Sequence, residues 1–219
     1  MTIRAFLFDF DGLILDTELP SRAAWQRVYE EHGHELPLGR WAEGIGTHGG
    51  FEPIEHLEEL VGAPLERERI DATRQAHELS LIEAEELRPG IAEYLAEAER
   101  RGLKRAIVSS SWRTWIDLHL ARLEQDVGWD GIVTADDDDS RAKPRPDLYL
   151  EALALLEVGA AEAVAFEDSP NGVRAAQAAG IFCVAVPNEA TRDLGLEDAD
   201  LLLGSLAELP PAELLARFD

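Results

Sequence analysis

"AFLFDFDG", residues 5–12, sets an apolar run directly before two carboxylates one residue apart, Asp9 and Asp11. A short apolar run bounded by polar residues reads as a strand buried on both faces. Carboxylates at the end of such a strand cost free energy unless they find partners there. Gly12 permits the chain to turn sharply after them.

Further β-rich runs lie at residues 104–109, 131–134, 163–167 and 181–186, with helical patterns between most of them. "PGIAEYLAEAERRG", residues 89–102, has Pro89 near a helix start and Gly102 past its end, and "PDLYLEALALLEVG", residues 146–159, repeats that arrangement. Strands alternating with helices predict an α/β fold, a Rossmann-like doubly wound parallel sheet. Residues 10–103 separate the first two strands, whereas a simple crossover needs about a dozen residues. Residues 17–33, 53–61 and 66–85 have helical composition. The expectation is therefore an α-helical cap at residues 17–85, inserted into a discontinuous core made of residues 1–16 and 86–219.

The 219 residues carry 44 acidic against 20 basic side chains, a formal charge of −24. Such a field repels phosphate backbones and anionic lipid, which argues against nucleic acid and membrane as partners. No apolar stretch approaches the roughly 18 residues of a membrane span, and Asp9 falls where a signal peptide needs apolar residues, so a cytoplasmic chain is expected. The single cysteine, Cys183, sits in a strand-like run and suggests no function. Oligomeric state is expected to be a monomer or a weak homodimer.

In open α/β sheets functional residues gather beyond the carboxyl ends of the strands. That rule selects Asp9 and Asp11 after the first strand and "SSS", Ser109 to Ser111, at the end of the second. It also selects Lys143 in "KPRPD" after the third, and Glu167 and Asp168 in "EDSPNG" at the end of the fourth. Ser169 can cap a helix that begins at Pro170. Lys104 and Lys143 are the only lysines of the chain, which singles out Lys143.

"DFDG", the serine after the second strand, "KPRPD" and "EDSPNG" occur in the order found in the haloacid dehalogenase superfamily of hydrolases, which the chain resembles from end to end of its core. "DGLILDTE" followed by a helical segment resembles the β-phosphoglucomutase-like branch of sugar phosphatases and phosphomutases. The resemblance implies that Asp9 is a nucleophile forming an aspartyl phosphate. It implies that Asp11 is the general acid and base, and that Ser109 and the Ser110 and Ser111 backbone hold phosphoryl oxygens. Lys143 is the implied counter-cation. Four acids facing a phosphate also require a hard dication, and the resemblance implies Mg²⁺ on the Asp9 side chain, the Asp11 carbonyl and Asp168, with Glu167 on a bound water or in the next shell.

Asp11 argues against dehalogenation of carbon–halogen bonds. The absence of lysine from residues 17–85 argues against the Schiff-base chemistry of relatives that hydrolyse phosphonoacetaldehyde. β-Phosphoglucomutases place a histidine early in the first cap helix and an arginine in the cap loop. Here those places fall on Ser21 and on "GIGTHGGFEP" with His48. The expected function is a Mg²⁺-dependent phosphatase of small phosphorylated metabolites, sugar phosphates foremost; the alternative is a phosphosugar mutase. Its partner is a small phosphate ester. Specificity is expected from the cap, with Trp41, the glycine-rich loop at residues 44–50, His48, Arg74 and His77 as candidates, and Trp112 and Arg113 facing them from the core. The acidic run at residues 136–139 reads as a solvated loop.

Overall fold

The computed structural model describes residues 2–46, 51–125 and 128–218. Strand β1 (Ala5–Phe8) is followed by helices α1 (Glu18–Glu31), α2 (Leu38–Glu43), α3 (Pro53–Val61), α4 (Arg67–Ile82) and α5 (Ile91–Arg101). Then come β2 (Lys104–Ser109), α6 (Arg113–Arg122), β3 (Gly131–Thr134) and α7 (Asp147–Leu156). The chain ends with β4 (Ala163–Glu167), α8 (Pro170–Ala178), β5 (Phe182–Ala185), β6 (Leu201–Leu202) and α9 (Pro211–Leu215).

All strands pair in parallel, in the order β3-β2-β1-β4-β5-β6. This is the doubly wound α/β arrangement that strand–helix alternation predicts. The chain builds outward from β1 on one side, then crosses back to lay β4 on the other. The crevice opens where that direction reverses, between the ends of β1 and β4.

Alternation along β1 explains its unbroken apolar character. Phe6 and Phe8 enter a core shared with Tyr94 and Leu95 of α5, Ile116 of α6 and Phe166 of β4. Ala5 and Leu7 enter the opposite core, against Leu148, Tyr149 and Ala152 of α7 and Val173 and Ala176 of α8. The faces differ in bulk. Small residues such as Ala106, Ala163, Ala165 and Ala185 let α7 and α8 approach one face, while aromatics fill the other. Phe8 and Phe166 are register partners whose rings stack at 4.8 Å, and Phe6 and Tyr94 meet Phe166 edge-on at 5.2 and 5.1 Å.

The helices between β1 and β2 divide in their packing. Trp25, Val28, Tyr29, Leu36, Phe51, Ile54 and Leu57 form a small core of their own. The Tyr29 hydroxyl fixes it by donating to the Pro53 carbonyl at 2.7 Å. By contrast α5 packs on the sheet. Leu15 and Leu87 form an antiparallel bridge, and the Arg88 amide donates to the Ile14 carbonyl at 2.9 Å. The outgoing and returning chains thus cross beside each other.

Two elements carry no pattern of their own. The six residues of α2 lie between Pro37 and Gly44, and the two residues of β6 complete the sheet edge. Pro89 precedes Gly90, which caps α5, so the proline stands just outside the helix. Replacing Phe166 with alanine removes the ring on which Phe6, Phe8 and Tyr94 converge. Chemical denaturation is expected to show a loss of about 3–5 kcal/mol, and a change within experimental error contradicts this account of the core.

Candidate active site

The first residue after β1 is Asp9, whose amide donates to the Phe166 carbonyl at 3.0 Å and continues the sheet by one step. The chain then turns back, with the Gly12 amide on the Leu15 carbonyl at 2.7 Å. Gly12 has φ +80°, and a Cβ there would lie 2.2 Å from Asp168 Oδ2. Only glycine lets the loops after β1 and β4 approach this closely. The Gly12 carbonyl is tied down by the Arg88 guanidinium and by Asn188 Nδ2 at 3.3 Å. Arg88 also donates to the carbonyls of Val186 and Pro187, fastening the loop after β5 to the same place.

Lys143, 1% exposed, lies beneath Asp9. Its Nζ donates to Asp9 Oδ1 at 2.5 Å and sits 2.6 Å from Glu167 Oε1. The same Glu167 oxygen accepts from the Tyr149 hydroxyl, and the Tyr149 ring lies 5.5 Å below the ammonium. Glu167 fits against the first turn of α8 because residue 172 is glycine; a Cβ there would lie 1.8 Å from Glu167 Oε2. The Ser169 hydroxyl caps α8 by accepting from the Gly172 amide at 3.1 Å. Asp168 Oδ2 accepts from Asn188 Nδ2 at 2.8 Å.

These groups are too many acids for one ammonium. Burial pushes Asp9 up to about 8 despite the pull of Lys143, with Glu167 and Asp11 adding to the rise. Burial likewise raises Asp168 well above the usual carboxylate range, helped by Asp9, Glu18 and Glu167 and opposed by Arg88. Burial works against the charge on Lys143 too, but Asp9 and Glu167 outweigh it and hold the lysine above its ordinary range. Asp9, Glu167 and Asp168 can bring one oxygen each within 4.8 Å of one another, and Glu167 Oε2 is buried without a hydrogen-bond partner. A compact, oxygen-only, anionic set of this kind suits a small hard cation.

Asp9 and Asp11 open onto a cavity of about 630 Å³, walled on one side by Ser109 to Ser111 of the core and on the other by α1 and α4. Asp11 stands apart from Lys143. Its Oδ1 accepts from the Thr17 hydroxyl at 2.9 Å and the Trp115 indole at 2.8 Å, and its Oδ2 from the hydroxyls of Ser111 at 2.5 Å and Ser109 at 3.4 Å. The Ser110 hydroxyl donates to the Gly46 carbonyl at 3.3 Å, and Asn171 Nδ2 donates to the Ile45 carbonyl at 2.9 Å. A Cβ at Gly46 would lie 2.2 Å from Ser169 Oγ, so this loop rests directly on the core.

The remaining candidates divide. Arg74 and Trp112 line the cavity. Arg113 does not: its guanidinium pairs with Asp117 one turn on at 2.8 Å, and its amide donates to Asp136. Trp41 packs against the core of the inserted helices, and neither it nor His77 lines the cavity. His48 lies outside the described residues, as do Gly49 and Gly50. In the acidic run, Asp136, Asp137 and Asp138 accept bonds from Arg113, Trp112 and Ser140. Sequence reasoning missed Glu18, Thr17, Trp115, Asn188, Arg88 and Tyr149. Glu18 lines the cavity, where burial and the nearby Asp11 and Asp9 push it up to about 8.

Comparison with known proteins agrees on one lineage. The model of the haloacid dehalogenase-like hydrolases matches residues 3–180. YhcW of Bacillus subtilis, which carries a provisional phosphatase name, is 46% identical over 213 residues, covering 97% of this chain and 96% of its own. The validoxylamine A 7'-phosphate phosphatase of Streptomyces hygroscopicus is 31% identical over 93% of this chain and 94% of its own. A crystal structure of a CbbY mutant from Rhodobacter sphaeroides with xylulose 1,5-bisphosphate superposes with a TM-score of 0.76 at 32% identity, covering 94% of this chain and 96% of that one.

The carboxyl groups of Asp9, Asp168 and Glu18 have folded-state pKa values raised above those of the unfolded chain. Their contribution to stability is full below the unfolded values and is lost as pH rises through the folded ones, at up to about 1.4 kcal/mol per pH unit for each proton released. His119, which burial holds below its ordinary value, acts only at lower pH. Chelator-treated protein is therefore expected to lose stability to urea between about pH 7 and 8.5. Mg²⁺ is expected to restore more of it at the upper end. Stability that rises across this window, or a Mg²⁺ effect that shrinks with pH, contradicts the charge balance described.

Proposed function

The chain belongs to the haloacid dehalogenase-like hydrolases, and from that premise we propose a Mg²⁺-dependent phosphatase of small phosphorylated metabolites, sugar phosphates foremost, acting through an aspartyl phosphate at Asp9. As a class it is a phosphoric monoester hydrolase. The observation that carries the finer reading is the placement of Asp9. It is a buried carboxylate held by Lys143 in one orientation, at the floor of a cavity large enough for a phosphate and a body of sugar size.

Asp9, Asp168 and the Asp11 carbonyl would hold Mg²⁺, with Glu167 supporting through Lys143 or a bound water. When bound, the ion neutralises charge on the transferring phosphoryl group and on the acids around it. The residues themselves do the rest. Lys143 fixes Asp9 and offsets part of its charge, and Glu167 and Tyr149 fix Lys143. Asp9 attacks phosphorus, the P–O bond to the leaving group breaks, and Asp11 gives that oxygen its proton. Both oxygens of Asp11 are bonded as it stands, so it must exchange a bond to Thr17, Trp115 or serine for one to the substrate. Water then attacks the acyl phosphate as Asp11 takes its proton, which frees phosphate and restores Asp9.

The Ser109 hydroxyl, which here donates to Asp11 at 3.4 Å, and the Ser111 amide, which donates to Ser109 Oγ at 3.0 Å, stand at the cavity wall and would turn to phosphoryl oxygens when substrate enters. Helices α1 to α4 act as a cap that keeps bulk water out. The contacts of Ile45 and Gly46 with Asn171 and Ser110 latch it to the core. Completion by water, rather than by return of phosphate to a second hydroxyl, fits a cap loop whose sequence has no arginine or lysine to retain a bisphosphate.

With p-nitrophenyl phosphate, whose leaving group needs no protonation, Asp11→Asn is expected to give a burst of about one equivalent of nitrophenol and then slow turnover. With a sugar phosphate it is expected to lose about 10²- to 10⁴-fold in rate. Asp9→Asn and excess chelator are each expected to abolish phosphate release. Release that persists in either, or an Asp11→Asn variant with the wild-type rate on both substrates, contradicts the proposal.

A further inference from the structure

We infer that the substrate bears a single phosphate on an uncharged, hydroxyl-bearing body such as a sugar or cyclitol, and that the cap end of the cavity rejects a second phosphate. This rests on the phosphatase reading above and names its substrate class.

Among the described residues that line the cavity, Arg74 is the one arginine or lysine, and its charge is offset by Glu78, although its Nε is buried without a hydrogen-bond partner and remains a donor that a neutral hydroxyl can meet. Its guanidinium pairs with Glu78 one turn along α4 and lies 5.1 Å over the Trp25 ring, with Asp71 3.9 Å away. The side chains of Arg74 and Glu78 are 13% and 12% exposed, so the pair is shielded from water and screened little by salt. Glu18 stands on the same wall and adds either no charge or a negative one. Residues 44–50, "GIGTHGG", contain neither lysine nor arginine. Over the described residues the cap wall therefore sums to zero or less, and a phosphate entering it would lose its hydration without gaining an unpaired positive charge there.

The lining does suit a neutral guest. Trp112, Trp115 and Leu118 form an apolar side, while Ser21, Gln75 and Glu18 offer donors and acceptors opposite. A sugar ring has both surfaces, a C–H face and hydroxyl edges. The positive potential needed for phosphate is confined to the core end, at Lys143 and the Mg²⁺ that the acids there would hold.

The test is steady-state kinetics of the Mg²⁺-loaded enzyme on matched pairs: xylulose 5-phosphate against xylulose 1,5-bisphosphate, and glucose 6-phosphate against glucose 1,6-bisphosphate. p-Nitrophenyl phosphate reports on the core end alone. A kcat/KM at least about tenfold higher for the monophosphate of each pair is expected. Glu78→Gln, which releases Arg74, is expected to shift the bisphosphate-to-monophosphate ratio by about tenfold toward the bisphosphate, whereas Arg74→Gln produces no such shift. Equal or greater efficiency on the bisphosphates overturns the inference and leaves the phosphatase reading standing, provided monoesters are hydrolysed. An unchanged ratio in folded Glu78→Gln overturns the role given to the ion pair. Failure to hydrolyse p-nitrophenyl phosphate and every sugar phosphate sinks both readings.

Discussion

One ammonium, Lys143, lies buried between Asp9 and Glu167, and the arrangement around the crevice follows from that contact. A chain of net charge −24 with two lysines places one of them where the ends of β1 and β4 bring acids together. Without it, three carboxylates would lie within a few ångströms of one another away from water, and they would protonate or force the loops apart. With it, Asp9 is oriented but the cluster is still short of positive charge. That shortage links fold to the proposed function, because a compact, oxygen-only anionic cluster suits a small hard dication.

The neighbouring contacts serve that arrangement. Gly12 and Gly172 lack side chains where Asp168 and Glu167 need the space. Arg88 and Asn188 bind the loops after β1, β4 and β5 into one rim. The rim is cross-linked by these bonds, while Asp11 is held by a separate set of donors from β2's end, α6 and Thr17. Asp9 and Asp11, the proposed nucleophile and proton carrier, thus answer to different parts of the molecule, and a displacement of α1 against the core bears on Asp11 through Thr17 before it bears on Asp9.

Much of the fold was legible because its signals are local. A strand buried on both faces has an unbroken apolar run, as at residues 5–8, and Ser169 with Pro170 marks a helix start by chemistry confined to one turn. Strand ends then pointed to Asp9, Ser109, Lys143 and Glu167 without knowledge of any contact. What stayed hidden depends on packing between distant segments. Tyr149 and Trp115 read as ordinary helix positions, and their partners Glu167 and Asp11 are fixed only when α7 and α6 dock on the sheet. Arg113 looked available, but a helix gave it Asp117 four residues on. Arg74 looked like a cation for the ligand, and the same geometry gave it Glu78. Helix α2 and strand β6 are too short to impose a period.

The charge arrangement makes sense of the proposed reaction, in which the Asp9 carboxylate is transiently phosphorylated. Acid-quenching the Mg²⁺-loaded enzyme during turnover of a sugar phosphate, reducing any acyl phosphate with borohydride and mapping the peptides by mass tests this most directly. The account predicts homoserine at position 9 and nowhere else. Steady phosphate release with residue 9 unmodified, or with the modification on a different side chain, would contradict it.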